Sequence, residues 1–202
     1  DLDETFEYLT RQSFSVGEAQ DAVRDEMRDL FAAVRGWRDL TSCSLSSDGR
    51  RVYAVSNCQL VGTVSQQRLI QNTQRHSLLP QRSNRLSAYD LSTDGKKLWS
   101  IGTPGDDAPM LKGEVPREIF FFGAPLPVED RLYVLGEERG QVQLLELDPA
   151  TGGVLWSLGL LNPDRDLMID DVRRLSGLMP AYANGLLFCP SGEGSVTAVD
   201  PR

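Results

Sequence analysis

The sequence predicts an all-β fold of repeated four-stranded antiparallel sheets. Three observations predict it: short β-rich runs broken by Gly, Pro, Asp and Asn from residue 41 onward, a self-similar unit that recurs about three times, and a Trp at one place in two of those units. Each unit reads as a turn, a strand with a central aromatic (Tyr53, Tyr133, Phe188), a second turn and a strand ending in Asp (Asp90, Asp148, Asp200). Two units continue into a Gly turn (Gly95, Gly152) and a short strand carrying Trp99 or Trp156. A preceding strand is expected at Ser42–Leu45, Ala124–Val128 and Met179–Ala183, which completes four strands per unit. Such a sheet has two faces to bury, and radial stacking of sheets buries both, which is the β-propeller architecture. Near-continuous apolar runs such as Val142, Leu144 and Leu145 agree with sheets covered on both sides.

The spacing fixes the units at about 41–102, 119–160 and 178–202. Tyr53 to Asp90 spans 37 residues, against 15 for Tyr133 to Asp148 and 12 for Phe188 to Asp200, so the first unit carries an insertion. That insertion, 59–85, holds six Gln, four Arg and no acid, with His76 near its middle. It reads as an unstructured loop or a basic binding loop. His76 has no Ser or Asp partner arguable from sequence.

Residues 1–40 stand apart, with ten acids and five Arg. Ser15 to Glu18 has capping-box spacing, and Ala19, Val23, Met27, Leu30, Phe31 and Val34 recur at helical intervals up to Gly36. One amphipathic helix is expected over 16–35, with a short strand over Thr5–Leu9 before it.

Within each unit, Asp accepts hydrogen bonds from turn N–H groups, Gly takes a conformation other residues avoid, and Trp wedges between sheets. Asp90, Gly95, Trp99, Asp148, Gly152, Trp156 and Asp200 are therefore read as a structural motif, not a ligand site. No catalytic, cofactor-binding or metal residues are assigned. Asn162, Asp164, Asp166, Asp170 and Asp171 hint at a calcium loop, but Leu167 stands where Gly is required and Arg173 where Glu is required. A solvated loop or short helix over Asp166–Leu175 is expected instead. Phe120, Phe121 and Phe122 read as the entry to a buried strand. The three cysteines, Cys43, Cys58 and Cys189, leave at least one free thiol, and with one His they are too few for a structural zinc site. A Cys43–Cys58 bridge across a hairpin is conceivable, with buried free thiols as the alternative.

The net charge of −8 argues against broad nucleic-acid binding, which needs basic surface. No apolar run is long enough to span a membrane. The chain opens without Met and ends before the Trp strand of its third unit, so it reads as an excised piece and an incomplete ring.

The segments AYDLSTDGKKLWSIG and ELDPATGGVLWSLG resemble the A-x-D-x-x-T-G-x-x-x-W repeat of the PQQ-binding-like β-propeller superfamily. The resemblance covers roughly 41–202, and Asp94, inserted before Gly95, is its departure in the first copy. That superfamily includes quinoprotein alcohol dehydrogenases and the propeller lipoprotein of the outer-membrane β-barrel assembly machinery. FFFGAPLPVEDRLYVLGE and the ending GSVTAVD also resemble large propeller proteins of planctomycete-type bacteria. The repeat is nearly silent about function; with no catalytic residue set in the chain, a non-catalytic module with an unidentified protein partner within a larger bacterial protein is expected, and the resemblance implies an extracytoplasmic location. The alternatives are a fragment of a PQQ-dependent dehydrogenase, or a ligand-sensing propeller coupled to another domain. No adjacent cysteine pair or quinone-site residue set occurs, so no cofactor is assigned.

Overall fold

Alternation along the central strands dictates the architecture. In the computed structural model, which describes residues 40–56, 82–102 and 118–201, strand β7 (Arg131–Glu138) sends Leu132 and Val134 to one side and Tyr133 and Leu135 to the other. Strand β8 (Gln141–Leu147) does the same with Leu145 and Leu147 against Val142 and Leu144. What looks like broken alternation is strict period-two patterning with both faces apolar.

These strands form the middle sheet of three. The first sheet is a four-stranded antiparallel meander of β1 (Leu45–Ser47), β2 (Arg51–Ser56), β3 (Arg85–Asp90) and β4 (Lys96–Gly102). The second joins β7 and β8 to β9 (Val154–Leu161) on one side. On the other side, β5 (Ile119–Phe121) and β6 (Leu126–Val128) both pair with β7, one at each end. The third holds β10 (Ala181–Ala183), β11 (Leu186–Pro190) and β12 (Val196–Val199). All pairings are antiparallel. The fold is all-β and propeller-like, as expected, and the described strands form no closed ring.

Two apolar clusters lie between the sheets. The first joins Tyr53, Leu86, Ala88, Trp99 and Ile101 of the first sheet to Ile119, Phe121, Leu132, Val134, Leu145 and Leu147 of the second. The second joins the opposite face of the middle sheet to Leu187, Cys189 and Val199 of the third. The Phe120–Phe122 run enters both: Phe121 packs into the first cluster, Phe120 and Phe122 into the second.

Three expected elements are corrected. Ser42–Leu45 is not a strand: Leu40–Cys43 makes a single helical turn, and β1 starts only at Leu45. Thr41 causes this. Its buried hydroxyl lies 3.0 Å from the Phe122 carbonyl and 2.7 Å from that of Arg174, which pins the backbone against two distant segments. The strand expected over Ala124–Val128 is shorter, Leu126–Val128, and β5 supplies the rest of that sheet edge. The third, over Met179–Ala183, contracts to Ala181–Ala183.

The helix expected over 16–35, the strand over Thr5–Leu9, His76 and Cys58 lie outside the described residues. The described end of the basic insertion is well anchored. Asn84 is fully buried and acts as a strand residue through its side chain: its amide donates to the Phe121 carbonyl at 2.8 Å, and its Oδ1 accepts from the Phe121 N–H at 2.7 Å.

Candidate binding surface

The recurring Asp–Gly–Trp residues sit where strands meet turns. Asp90 ends β3, and its Oδ1 accepts from the Ser92 N–H at 2.8 Å and the Ser92 hydroxyl at 2.7 Å. These bonds cap a 3-10 turn over Leu91–Thr93. They also hold the Asp90 carboxyl below its ordinary value, the Ser92 hydroxyl most of all. Asp94, the inserted residue, and Gly95 both take positive φ to bring the chain back into β4. Asp148 follows directly on β8 and caps its turn in a similar way, accepting from the Ala150 N–H at 2.7 Å, while its carbonyl accepts from the Gly152 N–H at 2.8 Å.

Trp99 and Gly152 meet across the first two sheets. The Trp99 Nε1–H donates to the Pro149 carbonyl at 2.9 Å, and its ring covers Gly152. A Cβ on Gly152 would lie 2.5 Å from Trp99 Cε3. The first sheet's Trp thus packs on the second sheet's turn. Trp156 is half-buried, with its ring 6.3 Å from Tyr133, matching the 6.0 Å between Trp99 and Tyr53. Asp200 follows β12 and is exposed.

A groove of about 700 Å³ opens at the turn end of these sheets, lined by Gly49, Arg50, Arg51, Asp90, Leu91, Ser92, Leu98 and Ala150. Its floor is rigid. Asp48 accepts from the backbone N–H groups of Arg50 (2.8 Å) and Arg51 (2.7 Å), from Arg51 Nη1 (2.9 Å) and from the Tyr53 hydroxyl (2.8 Å). The Leu91 N–H donates to the Arg50 carbonyl at 2.9 Å, clipping the two turns together. Above this floor Leu91 and Leu98 are 54% and 44% exposed, far more than such side chains need to be in a packed sheet.

Burial works against ionisation of Asp48, yet the Arg50 N–H, the Tyr53 hydroxyl and Arg51 outweigh it and lower its pKa to about 2. A carboxyl depressed on folding stabilises the fold above its unfolded value near 3.8, and that stability is lost as pH falls through about 2. Asp48→Asn is expected to remove this contribution, so acid unfolding followed by circular dichroism should show a shallower pH dependence between about 4 and 2 than the parent. An unchanged acid limb would mean that Asp48 does not govern this end of the sheets.

A second polar site, missed in the sequence, lies between the middle and third sheets. The short helix expected here forms over Asp171–Leu175 (α1), but it is not solvated: it carries two fully buried arginines, Arg173 and Arg174. The 3-10 turn Leu167–Ile169 precedes it, capped by Asp166. Arg173 reaches Glu137 of β7 at 3.0 Å, Asp170 at 3.1 Å, Glu193 at 3.2 Å and the Arg165 carbonyl at 2.7 Å. Arg174 lies over the Phe120 ring, 4.5 Å from its centroid. Desolvation raises the pKa of Glu137, opposed by Arg173. Of the hinted calcium ligands, Asp166 is paired with Arg82 at 2.8 Å and Asp170 with Arg173. Among the described residues, no three His, Cys, Asp or Glu side chains are arranged to hold a metal ion.

Cys189 is a buried free thiol, and burial pushes its pKa up to about 11, which leaves almost no thiolate at neutral pH. The Cys43 side chain and Cys58 lie outside the described residues, and with them the choice between a bridge and two free thiols.

A protein-family model described as outer membrane protein assembly factor BamB matches residues 33–200. The chain belongs to this BamB family of PQQ-like repeats. The match runs through all three sheets and both Trp-bearing units. No curated protein matches the chain. The groove is built from the turns that recur between the matched units. Among the described residues no helix is long and apolar enough to cross a membrane.

Proposed function

We propose that the chain is a non-catalytic β-propeller module that presents a protein-binding surface within a larger bacterial protein. One observation carries this reading. Asp90, Asp148, Gly152 and Trp99 are committed to turn capping and inter-sheet packing, and the groove they frame is walled by exposed apolar side chains on a rigid floor. A preformed floor lowers the ordering cost of binding, while exposed Leu91 and Leu98 offer area to bury. The family's namesake is described as an assembly factor, which agrees with a module that works through protein contacts. Seven-residue motif and groove alike serve presentation of a surface; the seven residues act as its scaffold.

The test is a titration of the protein with PQQ and Ca²⁺, read by absorbance and thermal shift, with a dye-linked alcohol oxidation assay alongside. No saturable binding and no turnover are expected. Stoichiometric PQQ binding with turnover would make the chain part of a quinoprotein dehydrogenase instead.

A further inference from the structure

Resting on that reading, we propose that the groove between the turns of the first two sheets binds a short peptide segment carrying one carboxylate flanked by leucine-like side chains. The lining is chemically asymmetric. Leu91, Leu98 and Ala150 are exposed and form the apolar part. Two arginines line the other part, and they differ in what they have free. Arg51 is held by Asp48 at 2.9 Å. Arg50 is exposed, its backbone is fixed by Asp48 and Leu91, and no described residue bonds its guanidinium.

A guanidinium unbonded among the described residues, beside apolar surface, can take a carboxylate in a paired, charge-assisted hydrogen bond. In a chain of net charge −8, it is a local cation on a prearranged backbone. The lining also limits the occupant. Asp90 faces the groove as an anion whose Oδ1 already accepts from Ser92, so a second acidic group near it is repelled. The chemistry selected is therefore one acid with apolar neighbours, not a polyacidic tract. Apolar side chains on the ligand cover Leu91 and Leu98, and the carboxylate lies at Arg50.

The experiment uses fluorescein-labelled, end-capped pentapeptides and the 202-residue chain in fluorescence anisotropy titrations. The probes are Ala-Leu-Glu-Leu-Ala, its Lys counterpart Ala-Leu-Lys-Leu-Ala, and pentaglutamate. Saturable binding of the Glu probe is expected, with at least tenfold weaker binding of the other two. Arg50→Glu and Leu98→Ser change exposed side chains, and circular dichroism checks that both variants fold. Each should weaken the Glu probe at least tenfold, and Arg50→Glu should narrow the gap to the Lys probe. No saturation at millimolar protein, equal binding of the Lys probe, or undiminished binding by Arg50→Glu would each overturn the proposal. These outcomes are separable from failure of the functional reading, which shows as PQQ binding and turnover whatever the peptides do.

Discussion

Arg173→Met is expected to destabilise the protein by about 3–5 kcal/mol, the cost of removing one partner from a buried ion pair. Arg173 is fully buried and touches three carboxylates from three segments: Glu137 in β7, Asp170 ahead of α1, and Glu193 in the turn between β11 and β12. Methionine fills part of the volume but leaves Glu137, itself only 5% exposed, without its cation. For a domain whose stability is about 5–15 kcal/mol, that is a large fraction. Urea unfolding followed by circular dichroism measures it. Arg173→Lys is expected to recover little, because one ammonium cannot replace a planar fork that spans several acceptors. Arg173→Met combined with Glu137→Gln should be less unstable than Arg173→Met alone, because the orphaned charge is gone.

The pH dependence of Arg173→Met carries a sign that packing loss lacks. Desolvation already raises the pKa of Glu137, and Arg173 is what opposes it. Without Arg173 the folded state holds the Glu137 proton more tightly than the unfolded state does. Stability then rises as pH falls through the folded pKa toward the unfolded value near 4.5. The deficit relative to the parent should therefore shrink as pH falls from 7 toward 5. A loss below about 1 kcal/mol would show that the cluster contributes no more than an exposed pair, and a larger deficit that does not change with pH would trace the loss to packing instead of to the Glu137 charge.

The number of sheets, their antiparallel character and the packing between them were legible in the sequence because they repeat. Tyr53 and Tyr133, Asp90 and Asp148, Trp99 and Trp156 recur at matching places, and period-two patterning with both faces apolar has one economical solution in stacked sheets. What did not repeat was not legible. Arg173 and Arg174 sit in a charged stretch that reads as solvated, and their partners Glu137 and Glu193 lie in a distant strand and a distant turn. Thr41 and Asn84 are polar residues whose burial depends on carbonyls far away in the chain, Phe122 and Phe121. The groove was hidden for the same reason. Its lining comes from three separate turns and the strand residues beside them, and Arg50 is distinguished from Arg51 by which guanidinium Asp48 engages.

Gly152→Ala tests the contact that joins the first two sheets. Gly152 has φ +70°, where an L side chain costs about 1–2 kcal/mol. Its new Cβ would also lie 2.5 Å from Cε3 and 2.7 Å from Cδ2 of Trp99, so the ring has to move. Overpacking of this kind costs about 1–3 kcal/mol more. The total expected loss is about 2–5 kcal/mol. Moving the ring also breaks its hydrogen bond to the Pro149 carbonyl and exposes an indole that is now 5% accessible, so tryptophan emission should shift to the red. Gly140 is the control, with φ +75° and nothing within 4 Å of an added Cβ. Gly140→Ala should cost about 1–2 kcal/mol and leave the emission unchanged. The difference between the two substitutions isolates the Trp99 contact from backbone strain. Equal losses with identical emission would mean that the first sheet's tryptophan does not hold the second sheet's turn, and that the apolar cluster alone joins them.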